Sequence, residues 1–226
     1  MKALCLLSGG IDSSTALFWA KKKFGHVMAL SFDYGQRHSI ELKCAGKIAG
    51  IAVTEHRILK LNFSMIKSSL TSRKISVPVN RPLDFRGGSL EIPSTWVPQR
   101  NTIFLAYAFA IAELENCNAV VAGMNVVDYS GYPDCRPEFL KAFERAGNLA
   151  SKRFVKEKKR IKIFAPFVKL KKSEIIKVGL ALGTPYKYTW SCYSGKIPAC
   201  GRCDSCKFRL SAFREMGVKD PLTYRK

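Results

Sequence analysis

Apolar and polar positions fall into short blocks whose period changes along the chain. Lys2 to Leu7 is an apolar run that stops at Gly9-Gly10, the pattern of a buried strand. From Asp12 to Lys23 the apolar residues recur at helical spacing, with an acid at the start and lysines at the end, as the helix dipole favours. Val27–Phe32 predicts a second strand, His38–Ala49 a second helix closed by Gly50, and Ala52–Ile58 a third strand. Strand–helix–strand–helix–strand at this spacing predicts a parallel sheet with right-handed crossovers. Thr71 to Gln99 breaks the rhythm. Its prolines at 78, 82, 93 and 98, with Gly87-Gly88, mark a long irregular segment of the kind that often covers a site.

The pattern then resumes. Asn101–Glu115 reads as an apolar helix, Ala119–Ala122 as a fourth strand and Gly123–Pro133 as a turn region. Pro137–Ser151 reads as a helix, Lys162–Phe164 as a short fifth strand and Ser173–Leu182 as a helix capped by Gly183. From Trp190 the chain is loop-like and rich in cysteine, and a last helix is expected from Asp204 to Met216. An open parallel α/β sheet with helices on both faces is the expected class.

Composition narrows the partners. The 226 residues are 47% apolar, enough for a sizeable core in one domain or one domain with an appendage. No apolar run approaches the roughly 20 residues of a membrane helix; Ile103–Ala112 reads as a buried helix instead. Met1–Leu7 runs into a glycine turn and does not read as a signal peptide, so a cytoplasmic protein is expected. The net charge of +21 favours anionic partners. Between Lys141 and Lys172 only Glu144 and Glu157 oppose a dense run of Lys and Arg. That run reads as a solvated face, as an RNA contact or, for a few of its members, as phosphate handling.

Leu7-Ser8-Gly9-Gly10-Ile11-Asp12-Ser13-Ser14 sits where the first strand gives way to a helix. Glycines let the backbone turn sharply and present its N–H groups, the following helix N-terminus adds unpaired donors, and Ser8, Ser13, Ser14 and Thr15 add hydroxyls. The result is an anion nest of phosphate size. The spacing fits neither the Walker A loop nor G-x-G-x-x-G. An acid at Asp12 is unexpected beside phosphates unless it caps its own backbone or helps to hold Mg²⁺. Asp33-Tyr34-Gly35-Gln36 ends the second strand and is expected to border the same crevice.

Cys192, Cys200, Cys203 and Cys206 follow C-x7-C-x2-C-x2-C spacing. Close C-x2-C pairs suit a tetrahedral thiolate site for zinc; an iron–sulfur cluster and disulfides are the alternatives. Cys5, Cys44, Cys117 and Cys135 are scattered and read as buried thiols, with Cys135 in a polar turn the one that could reach a site.

Ser8-Gly9-Gly10-Ile11-Asp12-Ser13 resembles the PP-loop of the N-type ATP pyrophosphatases, which cleave ATP between its α and β phosphates. Further blocks sharpen the resemblance: Phe32-Asp33-Tyr34-Gly35-Gln36-Arg37-His38, Val97-Pro98-Gln99-Arg100-Asn101-Thr102, Asp128-Tyr129-Ser130-Gly131-Tyr132-Pro133-Asp134-Cys135-Arg136-Pro137, Thr189-Trp190-Ser191-Cys192-Tyr193 and Cys200-Gly201-Arg202-Cys203-Asp204-Ser205-Cys206. In this order, over nearly the whole chain, they resemble the 7-cyano-7-deazaguanine synthase family of queuosine and archaeosine biosynthesis.

That resemblance implies an adenine nucleotide alpha hydrolase-like fold, with a PP-loop catalytic domain over 1–188 and a four-cysteine zinc segment over 189–226. It implies a ligase that turns 7-carboxy-7-deazaguanine and free ammonia into a nitrile with ATP and Mg²⁺. ATP would lie along Leu7, Ser8, Gly9, Gly10, Ile11, Asp12, Ser13, Ser14, Thr15, Ala16 and Leu17, with Asp33 nearby. Ser8, Asp12, Ser13 and Arg100 are the expected catalytic residues. Asn125, Asp128, Tyr132, Asp134 and Arg136 are expected on the substrate side, and Cys192, Cys200, Cys203 and Cys206 on structural zinc. A homodimer with small-molecule substrates and no need for nucleic acid is expected. The rival readings are another PP-loop enzyme acting on tRNA, a relative that passes the activated acid to a macromolecule, and a non-catalytic binding module.

Overall fold

A computed structural model describes residues 1–80, 92–127 and 132–225. Five strands form one parallel sheet: β1 (Lys2–Leu6), β2 (His26–Asp33), β3 (Glu55–Lys60), β4 (Ala119–Val121) and β5 (Lys162–Phe164), in the spatial order β3-β2-β1-β4-β5. Ala3 pairs with Val27 on one side and Ala119 on the other, and Ala119 pairs onward with Lys162. The order reverses between β1 and β4. In open α/β sheets the crevice for ligands lies at that switch point, beyond the carboxyl ends of the strands.

Side-chain alternation along the central strands divides the core in two. Ala3, Cys5, Val27, Ala29, Ala119 and Val121 face α1 (Ile11–Lys23), α2 (Ile40–Ile51) and α6 (Lys172–Ala181). Leu4, Met28, Leu30 and Val120 face α3 (Arg100–Leu114) and α4 (Pro137–Leu149). Small residues on the first face let α1 approach the sheet closely, and bulkier ones fill the second. The last helix, α7 (Asp204–Glu215), packs on α6 and adds Ala212 and Phe213 to the first core. Among the described residues no helix is long and apolar enough to cross a membrane.

Two elements depart from the sequence pattern. The third strand begins at Glu55 rather than Ala52, because α2 runs on through Gly50 to Ile51 and the chain reverses at Val53, whose φ is +47°. β3 is an edge strand with Glu55, Arg57, Ile58 and Lys60 exposed, so apolar patterning placed it too early; charge on an edge also discourages pairing with another chain. The basic run after Ser151 also contains a helix, α5 (Lys152–Glu157). Ser151 Oγ accepts the Phe154 N–H, and Lys158 at φ +57° ends it.

The described parts of the irregular segment are turns that strap over the strand ends. Ser69 N–H donates to Ser94 O at 2.9 Å, and Asn80 N–H reaches the tail at Arg202 O at 3.0 Å.

Candidate active site

A cleft opens at the switch point. Leu6 to Ser8 and Gly10 to Ser13 form its floor on the β1 side and Ala122 to Asn125 on the β4 side. The loop after β1 is tied to itself. Ser13 Oγ accepts the Ser8 N–H at 3.1 Å and lies 2.9 Å from Ser8 Oγ, while Ser8 Oγ accepts the Gly10 N–H at 3.3 Å. Two glycines permit the packing. At Gly9, φ is +89° and a Cβ would lie 2.2 Å from the Glu41 carbonyl oxygen of α2. At Gly123 a Cβ would meet the backbone of Asp12 and Ser13 at 2.6 Å, so the end of β4 sits directly on the start of α1. The nest is thus clamped between α2 and β4.

Asp12 lines the cleft and is held by a partner 160 residues away. Lys172 Nζ, at the start of α6, donates to both carboxylate oxygens at 2.7 and 2.6 Å. The pair neutralises an acid at a helix N-terminus. Ser8, Gly10, Ile11, Ser13 and Leu7 line the space, whereas Gly9, Ser14, Thr15, Ala16 and Leu17 lie beneath it. Thr15 Oγ1 bonds Ile11 O at 2.9 Å and Tyr186 OH at 2.8 Å, a packing role. Asp33 lies outside the cleft lining, and its Oδ1 accepts the Gly35 N–H at 3.4 Å.

The opposite wall begins at α3. Arg100 and Asn101 both line the cleft. Burial works to lower the Arg100 pKa, but Tyr34, Tyr132, Cys135 and Asp134 around it win, and it is raised. Asp134 is buried behind this wall, not in it. Its Oδ2 accepts the Asn101 N–H at 2.9 Å, an anchor for the first turn of α3, which the left-handed Gln99 leaves without a side-chain cap. Asn101 Nδ2 donates to Cys135 Sγ at 3.2 Å. Tyr132 lines the cleft, and its hydroxyl lies 2.8 Å from Thr95 Oγ1 on the strap; burial pushes it up to about 12. Burial likewise pushes the Cys135 thiol up to about 12, which makes it a poor nucleophile.

Asn125 lines the cleft and spends its amide on the Phe167 and Leu170 carbonyls. Arg136 is exposed at the start of α4 and does not line the cleft. Asp128 lies outside the described residues.

Tyr34 and Gln36 line the cleft, as expected of the end of the second strand, and the contacts that hold them and the tail there cross the fold. Gln36 closes the loop after β2 by accepting the Tyr34 N–H at 2.8 Å and donating to Phe32 O at 3.1 Å. Trp190 N–H donates to Gly9 O at 2.9 Å, docking the tail on the PP-loop and bringing Ser191 and Tyr193 to the rim. Arg209, 1% exposed, ties this arrangement together. It pairs with Asp220 through Nε and Nη2, and its Nη1 donates to Thr189 Oγ1 at 2.8 Å.

The Sγ atoms of Cys192, Cys200, Cys203 and Cys206 lie within 4.8 Å of one another. None is in a disulfide, and Cys200 and Cys206 sulfurs are 4.0 Å apart. Four thiols at this spacing suit one tetrahedral ion with metal–sulfur bonds of about 2.3 Å. Hydrogen bonds from Cys203 and Cys206 and from the Cys200 N–H lower the Cys192 pKa below the usual thiol range.

Comparison with known proteins agrees with this geometry. Residues 2–217 match the family described as "Queuosine biosynthesis protein QueC". A protein of Trichodesmium erythraeum named 7-cyano-7-deazaguanine synthase is 49% identical over 224 residues, spanning 98% of this chain and 100% of its own. Proteins of the same name from Thermosynechococcus vestitus (50% identical; 99% of this chain, 95% of theirs) and Thermoplasma volcanium (48%; 100% and 91%) are as similar. A PP-loop at the switch point, a four-thiol tail docked on it and near-half identity over the full length place this chain in the QueC family.

Proposed function

We propose that the protein is a carbon–nitrogen ligase that converts 7-carboxy-7-deazaguanine and ammonia into 7-cyano-7-deazaguanine, cleaving ATP to AMP and pyrophosphate. One observation carries the reading: the Ser8–Ser13 nest opens into the crevice at the β1/β4 switch point, opposite Arg100, in a chain of this family.

A carboxylate resists attack by ammonia because oxide would have to leave. In the first step a substrate carboxylate oxygen attacks the α-phosphorus, and pyrophosphate departs into the nest. The Ser8 and Ser13 hydroxyls and the α1 N-terminus stabilise the charge developing on it. Arg100 holds the carboxylate in line as a bidentate donor. Ammonia attacks the acyl carbon and AMP leaves, giving the primary amide. The amide oxygen then attacks a second ATP in the same geometry. Loss of AMP and of the two nitrogen protons leaves the nitrile. The aromatic and apolar lining from Phe32, Tyr34, Phe104 and Tyr132 suits a flat deazapurine and keeps water from the acyl-adenylate.

Lys172 and Asp12 would lie beside the polyphosphate and its Mg²⁺, which would supply charge neutralisation there. The four cysteines would hold a structural Zn²⁺ with no open position, so it supports the tail and takes part in no step. A cytoplasmic homodimer that needs no nucleic acid completes the reading. The test is direct: incubate the protein with ATP, Mg²⁺, ammonium and 7-carboxy-7-deazaguanine, then follow products by mass spectrometry. Amide followed by nitrile, with two AMP per nitrile, is expected. ADP and phosphate as the stoichiometric products would overturn it.

A further inference from the structure

Ammonia is the smallest reactant and arrives in water chiefly as a cation. The cleft lining contains Arg100, Lys172 and Arg209, which repel a cation. Among the described residues that line it, Asp12 and Glu41 are the carboxylates. Lys172 occupies both oxygens of Asp12. Among the described residues Glu41 has no such partner. Its Oε2 lies 3.2 Å from His38 Nε2, and no Lys or Arg bridges it among the described residues. The side chains of His38 and Glu41 are 5% and 16% exposed. Nδ1 of His38 is buried without a hydrogen-bond partner among the described residues. Both residues stand at the start of α2, and the Glu41 backbone presses against Gly9, so the pair adjoins the PP-loop. The Tyr193 ring closes the other side, with its centroid 5.9 Å from that of His38.

A half-buried carboxylate with an oxygen to spare, beside an aromatic ring and next to the phosphate nest, is a site for a small cation. We propose that Glu41 and His38 form the ammonium site: Glu41 captures NH₄⁺ and the pair takes its proton next to the acyl-adenylate. This rests on the ligase reading above. The step balances: one N–H proton passes to the pair, the freed lone pair forms the C–N bond to the acyl carbon, and the C–O bond to AMP breaks with its electrons on the phosphate. A second nitrogen proton then leaves to solvent.

Glu41→Gln keeps the shape and removes the charge. The experiment measures amide formation against ammonium concentration, and hydroxamate formation from the same acid and ATP with hydroxylamine, which is uncharged at neutral pH. The KM for ammonium is expected to rise roughly 10- to 100-fold, the loss of one charge-assisted contact. Hydroxamate formation should stay within about threefold of wild type, since an uncharged nucleophile needs no cation site. An unchanged KM for ammonium, or an equal fall with both nucleophiles, overturns the site. Absence of hydroxamate with the wild-type protein would instead overturn the adenylation reading itself.

Discussion

The two walls of the cleft are built by different physics. The PP-loop wall is a single run of sequence, Leu7 to Ser13. Backbone N–H groups and hydroxyls form it, and glycine packing against α2 and β4 holds it in place. The tail wall, Trp190 to Tyr193 with Arg209, pairs with no strand of the sheet. Its own buried cluster is Trp190, Ala199 and the cysteines Cys192, Cys203 and Cys206. So small an apolar set does not order a loop by itself. Beyond α7, whose Ala212 and Phe213 join the first core, the tail relies on a thiol cluster and a buried ion pair. One wall therefore inherits the stability of the sheet, and the other depends on features that chelation or a single charge change can remove.

Metal removal should break the comparison most severely. Structural zinc supplies on the order of 10 kcal/mol or more in small thiolate sites. Chelation, or Cys203→Ser, is expected to release one metal ion per chain and open the region after about residue 189 to proteolysis. Nitrile formation should fall by at least about 100-fold, because Trp190 no longer meets Gly9. Atomic emission, a protease ladder and turnover on one sample check this. A chelated protein with an intact tail would show that the thiols do not hold this wall.

The ion pair comes next. Asp220→Ala leaves the Arg209 guanidinium, 1% exposed, without its carboxylate. Removing one member of such a pair costs about 3–5 kcal/mol. The melting temperature should drop clearly, whereas Arg209→Met with Asp220→Leu together should recover much of the loss. Equal destabilisation by the single and double variants would mean that the pair matters for specific hydrogen bonds, such as that to Thr189, rather than for charge balance.

On the PP-loop wall the same size of effect should appear in rate and not in stability. Ser8 is exposed, so Ser8→Ala should leave the melting temperature nearly unchanged. Losing a donor to the departing pyrophosphate should lower kcat by roughly 10²–10³. A Ser8→Ala protein that turns over normally would take Ser8 out of the anion nest.

This contrast also explains what could be read from the sequence. Strands β1, β2, β4 and β5 and most helices show themselves because periodicity is local, and the nest and the cysteines show themselves because their chemistry is contiguous. The start of β3 is not legible because an exposed edge strand carries no apolar pattern, and α5 is not because a run of Lys and Arg hides its Ser151 cap. The partner of Asp12 at Lys172 and the role of Arg209 as a tie are contacts across the fold, invisible to any window of sequence. Asp134 shows the converse: the motif marks it, yet its carboxylate anchors the first turn of α3 from behind the wall.

The smallest effect concerns Tyr132, where wall and strap meet. Its hydroxyl and Thr95 Oγ1 are 2.8 Å apart and both residues are buried, so each satisfies the other. Tyr132→Phe leaves the Thr95 hydroxyl unpaired and should cost about 1–2 kcal/mol. Thr95→Val added to it should restore part of that, since removing both partners is nearly neutral. The ring itself remains in the Phe variant. If Tyr132 meets the deazapurine through its face, KM for the acid should stay unchanged in Tyr132→Phe and rise about tenfold in Tyr132→Leu, the scale of one lost stacking contact. An equal rise in the Phe and Leu variants would assign the hydroxyl, and not the ring, to the substrate. The strap would then be positioned by its backbone bonds to Ser69 rather than by Thr95.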